Sequence, residues 1–121
     1  MKEAYINGRI IDPEKNKEFV GDIVIEKDKI VDVGPNIYKK EKPKSYTNIH
    51  DCKGLSVCAG LLDMRVSFGE PTSEHYAAFA GGITTVVCLP NTDPIVDNVS
   101  VAEYIQRKAR EVSKLNLYTY G

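Results

Sequence analysis

Gly81-Gly82-Ile83-Thr84-Thr85-Val86-Val87-Cys88-Leu89-Pro90, residues 81–90, is the stretch on which the fold turns. Residues 83–89 are nearly all β-branched or apolar, so they read as a strand covered on both faces. The glycine pair introduces it, and Pro90, which has no N–H for a ladder, closes it. Just upstream, Ser73 to Ala80 predicts about two helical turns, with Thr72 or Ser73 as N-cap and Gly81 as C-cap. Downstream, Ser100-Val101-Ala102-Glu103 fits a capping box, in which the Ser100 hydroxyl accepts the Glu103 N–H. Val101, Ile105, Ala109 and Val112 then mark one apolar face of a longer helix. Further out, Ser56–Val66 contains a strand with little alternation, and Leu115–Tyr120 reads as a third. The order strand, helix, strand, helix, strand predicts an α/β fold with a parallel sheet. A closed βα barrel (the TIM type) takes about eight such units and about 250 residues. A chain of 121 residues that stops just after strand three reads as the amino-terminal part of such a barrel.

The residues before the barrel portion differ in kind. Of 33 charged residues, 21 fall in residues 1–56, so that part reads as a thin, mostly exposed layer and residues 57–121 as material for burial. The join is expected at residue 56. Residues 4–11 read as a strand interrupted by an Asn7-Gly8 turn, a strong hairpin signal, and Asp12-Pro13 ends the run. Ile23 and Ile25, then Ile30 and Val33, flank Lys27-Asp28-Lys29 as a second hairpin, with Gly34-Pro35 as terminator. Residues 1–56 are thus expected to form a small β-layer, one part of a composite β-sandwich, too small to bury a core by itself. The Lys-rich run Tyr38–Lys44 reads as a solvated loop.

Composition excludes several functions. Sixteen basic against 17 acidic residues give a net charge of −1, which argues against a nucleic-acid partner or a polybasic membrane surface. Apolar runs fall far short of the roughly 20 residues of a membrane span, and Met1–Tyr5 has no signal-peptide character. Cys52, Cys58 and Cys88 are odd in number and lack metal-ligand spacing, so reduced thiols in a soluble, cytoplasmic protein are expected, Cys88 in the core.

The segment Asp51-Cys52-Lys53-Gly54-Leu55-Ser56-Val57-Cys58-Ala59-Gly60-Leu61-Leu62-Asp63-Met64, followed by Gly81-Gly82-Ile83-Thr84-Thr85 and Leu89-Pro90-Asn91-Thr92, resembles the dihydroorotase branch of the amidohydrolase superfamily. Motif order and approximate spacing match across nearly the whole chain. The resemblance implies a β-layer followed by a metal-dependent-hydrolase barrel. It also implies zinc-assisted opening of a cyclic amide, the metal polarising the carbonyl and activating a bound water. In that family a His-x-His pair on the first barrel strand supplies two zinc ligands, and an arginine just beyond clamps the substrate carboxylate. Aligned on Leu61-Leu62-Asp63-Met64, those positions hold Arg65, Ser67 and Gly69, the last followed by Glu70-Pro71. A guanidinium stays protonated and repels a dication, and a serine hydroxyl is a poor substitute for imidazole.

Other positions add little metal chemistry. His50 and His75 form no ligand pair and read as surface or helix-capping residues. Asn91 matches the family residue that hydrogen-bonds substrate, while Pro90-Asn91-Thr92-Asp93-Pro94 is also good turn chemistry. Asp63 matches the family aspartate before the His-x-His pair and reads as a strand-end structural residue. The run Asp63-Met64-Arg65-Val66, Gly69-Glu70-Pro71 and Glu74-His75 is similar to non-catalytic dihydroorotase homologues that stand beside aspartate carbamoyltransferase as scaffolds in pyrimidine biosynthesis. The resemblance therefore implies no catalytic residue and no metal for this chain, with aspartate carbamoyltransferase or self-association as partners. The other reading it leaves open is a fragment of a working zinc-dependent cyclic amidohydrolase whose ligands come from later strands. The link of residues 69–82 is 14 residues, a turn or two of helix shorter than is usual in the family, though long enough for a parallel crossover.

Overall fold

The computed structural model describes residues 1–40, 42–67, 74–112 and 114–120, without the side chains of Glu74, His75 and Val112. Two compact units divide the chain, Met1–Ala59 and Gly60–Gly121.

The first unit is one five-stranded sheet. Strands β1 (Lys2–Asp12), β2 (Lys17–Glu26), β3 (Lys29–Gly34) and β4 (Tyr46–Asp51) lie in the order β3-β2-β1-β4, and the two-residue β5 (Ser56–Val57) also pairs with β1. β2 and β3 form the hairpin expected from the Ile23/Ile25 and Ile30/Val33 pattern. β4 runs parallel to β1. These five strands make a single sheet, so by themselves they do not form a sandwich. Ala4, Val24, Ile37 and Tyr46 make its core, and Ile6 and Tyr38 pack against them. The lysine-rich segment is not wholly irregular: Tyr38–Lys40 and Pro43–Ser45 are single 3-10 turns.

The Asn-Gly signal needs correction. β1 continues through Asn7-Gly8, and the pairing with β2 shifts register between Tyr5 and Gly8, so the dipeptide forms a β-bulge and not a hairpin. Asn7 sits at φ 60°, the left-handed conformation that asparagine tolerates best among non-glycine residues. Its backbone N–H donates to Asp22 Oδ1 at 3.0 Å, and its side-chain amide to Asp51 Oδ1 at 2.9 Å. Gly8 follows because a Cβ there would stand 2.7 Å from Val57 Cγ2 on β5. The hairpin that joins β1 to β2 is made instead at residues 13–16, where the Asn16 N–H donates to the Pro13 carbonyl.

The second unit is a three-stranded parallel sheet in the order β6 (Leu61–Val66), β7 (Ile83–Cys88), β8 (Asn116–Thr119). Helices α1 (Glu74–Ala80) and α2 (Val99–Val112) form the two crossovers. α1 ends as expected: the Gly81 N–H reaches the carbonyls of Ala77 and Ala78, and Gly82 takes φ 91°. Thr72 and Ser73, its expected caps, lie outside the described residues. α2 starts earlier than the capping box at Ser100 implies. Asn98 is its cap, with Oδ1 accepting the Val101 N–H at 3.1 Å. Val86, Cys88 and Leu115 form the core, joined by Val66, Ala78, Ile83 and Leu117, and Ala109 on α2 is buried.

β6 departs from its expected burial. Leu61, Leu62 and Met64 are 56%, 57% and 60% exposed, and of the apolar residues of this strand only Val66 packs on the core among the described residues. Among the described residues β6 and β8 pair with β7 alone.

Candidate functional site

Parallel α/β sheets place their chemistry at the carboxyl ends of the strands. Pairing at that end of this sheet continues past the strands proper. The Leu89 N–H donates to the Val66 carbonyl at 2.8 Å, and the Tyr120 N–H to the Cys88 carbonyl at 3.0 Å. The first of these bonds brings Ser67, after β6, beside Asn91, after β7. The Asn91 side-chain amide donates to Ser67 Oγ at 2.9 Å. Beyond it the turn is held by Thr92 Oγ1 donating to the Pro94 carbonyl at 2.8 Å, and by the Val96 N–H donating to the Pro90 carbonyl at 3.2 Å.

β6 itself is irregular here, its pairing with β7 shifting between Asp63 and Val66. Side chains take up the backbone groups at the irregularity. Asp63 Oδ1 accepts the Arg65 N–H at 2.9 Å, and the Tyr120 hydroxyl donates to the Met64 carbonyl at 3.0 Å. Asp63 thus makes a contact inside β6 and not at its end. Tyr120, which gave no signal in the sequence beyond its place after a strand, spans the sheet from β8 to β6. Val66 turns into the core while Arg65 and Ser67, on either side of it, are exposed.

The donor set does not fit zinc. Zinc takes thiolate, imidazole or carboxylate. Of Arg65, Ser67 and Asn91 none offers one, and an oxygen of the nearby Asp63 is engaged by backbone. Gly69 lies outside the described residues, as does the side chain of His75. His50 is on β4 in the first unit, stacked on Tyr5 with ring centroids 4.5 Å apart and with Nε2 3.7 Å from Glu3 Oε2. Cys52 and Cys88 are buried and Cys58 exposed, with no disulfide among the described residues. No described helix is long and apolar enough to cross a membrane.

The same strand arrangement occurs in solved structures. The L-hydantoinase (dihydropyrimidinase) of Arthrobacter aurescens superposes on 98% of this chain and 27% of its own, with a TM-score of 0.79 at 21% identity. Ochratoxinase from A. niger superposes on 99% of this chain and 31% of its own, with a TM-score of 0.64 at 16% identity. These likenesses show a shared fold. By sequence the chain is more narrowly a dihydroorotase homologue. It is 41% identical to the dihydroorotase of the Wolbachia of Brugia malayi over 99% of its length, and 40% identical to that of Aquifex aeolicus over all of it. In both cases it spans 29% of the relative's length. The Aquifex alignment runs to 129 positions, so that relative carries residues which this 121-residue chain lacks. No family model matches the chain.

Proposed function

We propose that the chain is the amino-terminal part of a dihydroorotase-like protein of cytoplasmic pyrimidine biosynthesis that has lost hydrolysis and serves as a scaffold for aspartate carbamoyltransferase. The observation that carries the loss of catalysis is the chemistry of β6. Arg65 and Ser67 stand where the resemblance puts two imidazoles, and Ser67 is already an acceptor for Asn91. A guanidinium cannot release a lone pair to a metal at any accessible pH. With no metal held on β6, no water is activated there and no carbonyl polarised. What these residues do instead is bind and orient: Asn91 and Ser67 fix one another, and Asp63 and Tyr120 hold the backbone between them.

The test is metal content and turnover in the longest polypeptide that carries this segment. Less than 0.1 zinc per chain, no dihydroorotate hydrolysis above background, and co-purification with aspartate carbamoyltransferase are expected. Stoichiometric zinc with turnover abolished by chelation would overturn it. That result would establish the second reading, an active cyclic amidohydrolase, which the identity to named dihydroorotases favours.

A further inference from the structure

Asn7-Gly8 is the chain's one Asn-Gly pair, and the bulge in β1 imposes both of its residues. Position 7 is held at φ 60°, which asparagine adopts more readily than most residues with a side chain. Position 8 has no room for a Cβ, which would stand 2.7 Å from Val57 Cγ2 and 3.3 Å from the Cys52 Cβ. The same pair is chemically labile, because a glycine carries no side chain to hinder attack by its nitrogen on the asparagine amide. We propose that Asn7 is a deamidation site kept in check by Asp51, whose carboxylate holds the amide that the reaction has to move.

In the reaction the Gly8 nitrogen attacks Asn7 Cγ and gives up its proton to water. The Cγ–Nδ2 bond breaks, ammonia leaves, and a cyclic imide forms. Water then opens the imide at either carbonyl, leaving aspartate or, with the main chain rerouted through Cβ, isoaspartate. The attack requires the side chain to rotate and the backbone around it to yield, and the sheet opposes both. Asn7 Nδ2 donates to Asp51 Oδ1 at 2.9 Å, and the Asn7 N–H donates to Asp22 Oδ1 at 3.0 Å. Asp51 is itself fixed, the same oxygen accepting the Lys53 N–H at 3.1 Å. On either side of the pair the main chain is pinned. The Ile6 carbonyl accepts the Cys52 N–H at 2.8 Å, and the Arg9 N–H donates to the Leu55 carbonyl at 3.0 Å. Asn7 is exposed, so water reaches it, and restraint rather than burial is what protects it. Reaction then waits on local opening of the strand. Its product does not revert on closing: an anion at position 7 faces the Asp51 carboxylate where a donor stood, and like charges at that range repel. Isoaspartate further adds a main-chain carbon at the bulge that sets the β1–β2 register.

The experiment incubates the whole chain at mildly alkaline pH and follows residue 7 by peptide mapping and mass spectrometry, which resolves asparagine, aspartate and isoaspartate. The same chain in urea sets the unrestrained rate. The folded parent is expected to react about tenfold or more slowly than the urea sample. Asp51→Ala should react about fivefold faster than the parent, with circular dichroism confirming that its sheet is intact. Should the alanine variant unfold, Asp51→Asn takes its place; it keeps an acceptor oxygen without the charge, and a rise of about twofold is expected. Equal rates in the folded and urea-treated parent, or in the parent and the folded Asp51 variant, overturn the proposal.

Discussion

Replacing Asp22 with alanine is the most searching perturbation of the first unit. Asp22 is 5% exposed, the one buried charged residue among those described, and its two oxygens take different tasks. Oδ1 accepts the Asn7 N–H at the bulge in β1, and Oδ2 accepts the Tyr38 N–H that opens the first 3-10 turn, both at 3.0 Å. A hydrogen bond to a charged acceptor contributes about 1.5–3 kcal/mol, and a half-buried N–H left without a partner forfeits much of that. Asp22→Ala should therefore cost about 3–5 kcal/mol. A unit of this size has only about 3–9 kcal/mol of stability in total, at roughly 0.05–0.15 kcal/mol per residue. Asp22→Asn retains one carbonyl oxygen but aims an amide at the second donor, so about half the loss is expected. The assay is urea unfolding followed by circular dichroism and tyrosine fluorescence, the chain having seven tyrosines and no tryptophan. The parent, Asp22→Asn and Asp22→Ala should unfold with similar slopes at successively lower midpoints. An alanine variant within 1 kcal/mol of the parent would refute the view that this carboxylate organises the sheet.

Two other outcomes are expected. The Asn7 side-chain amide, and then the Lys53 N–H, hold the Asp51 carboxyl below its ordinary value of 3.8. Its contribution is fully present above that value and is lost as pH falls through the lower folded one; a carboxyl 13C titration should show this, and Asn7→Ala should bring the midpoint back up. Titration of Asp51 at or above the ordinary value in the parent would contradict it. Tyr120→Phe removes the bond to the Met64 carbonyl, at a cost of about 1 kcal/mol. Hydrogen exchange at the Leu89 and Tyr120 amides should quicken roughly fivefold, and unchanged exchange there would assign Tyr120 no part in holding the strand ends.

Residues 81–90 were legible because their message is local: a run of β-branched residues between glycines and a proline forms a strand wherever it packs. The Asn7-Gly8 pair was legible in its backbone preference and misleading in its consequence. The left-handed conformation it favours serves a hairpin and a bulge equally well, and the choice was made by Asp22 and Asp51, 15 and 44 residues away. β4 escaped notice because Tyr46-Thr47-Asn48-Ile49-His50-Asp51 is mostly exposed and so lacks a strand's alternation. At the candidate site, Arg65, Ser67 and Asn91 could be named from motif order, but the Asn91–Ser67 bond depends on how β6 and β7 run side by side. Tyr120 could not have been found at all, since a hydroxyl bonded to a carbonyl 56 residues earlier leaves no trace in sequence.

The bare β6 strand also bears on the order in which such a protein is made. A parallel strand cannot be completed by the next few residues to leave the ribosome; it waits for partners distant along the chain. In a polypeptide that continues into further strands, Leu61, Leu62 and Met64 would be among the first apolar side chains synthesised and among the last to be covered. That interval is a kinetic exposure, one that an assisting chaperone or a slow-folding trap would exploit. The lag between synthesis and burial, rather than the final packing, would then set how much of the protein reaches its native state.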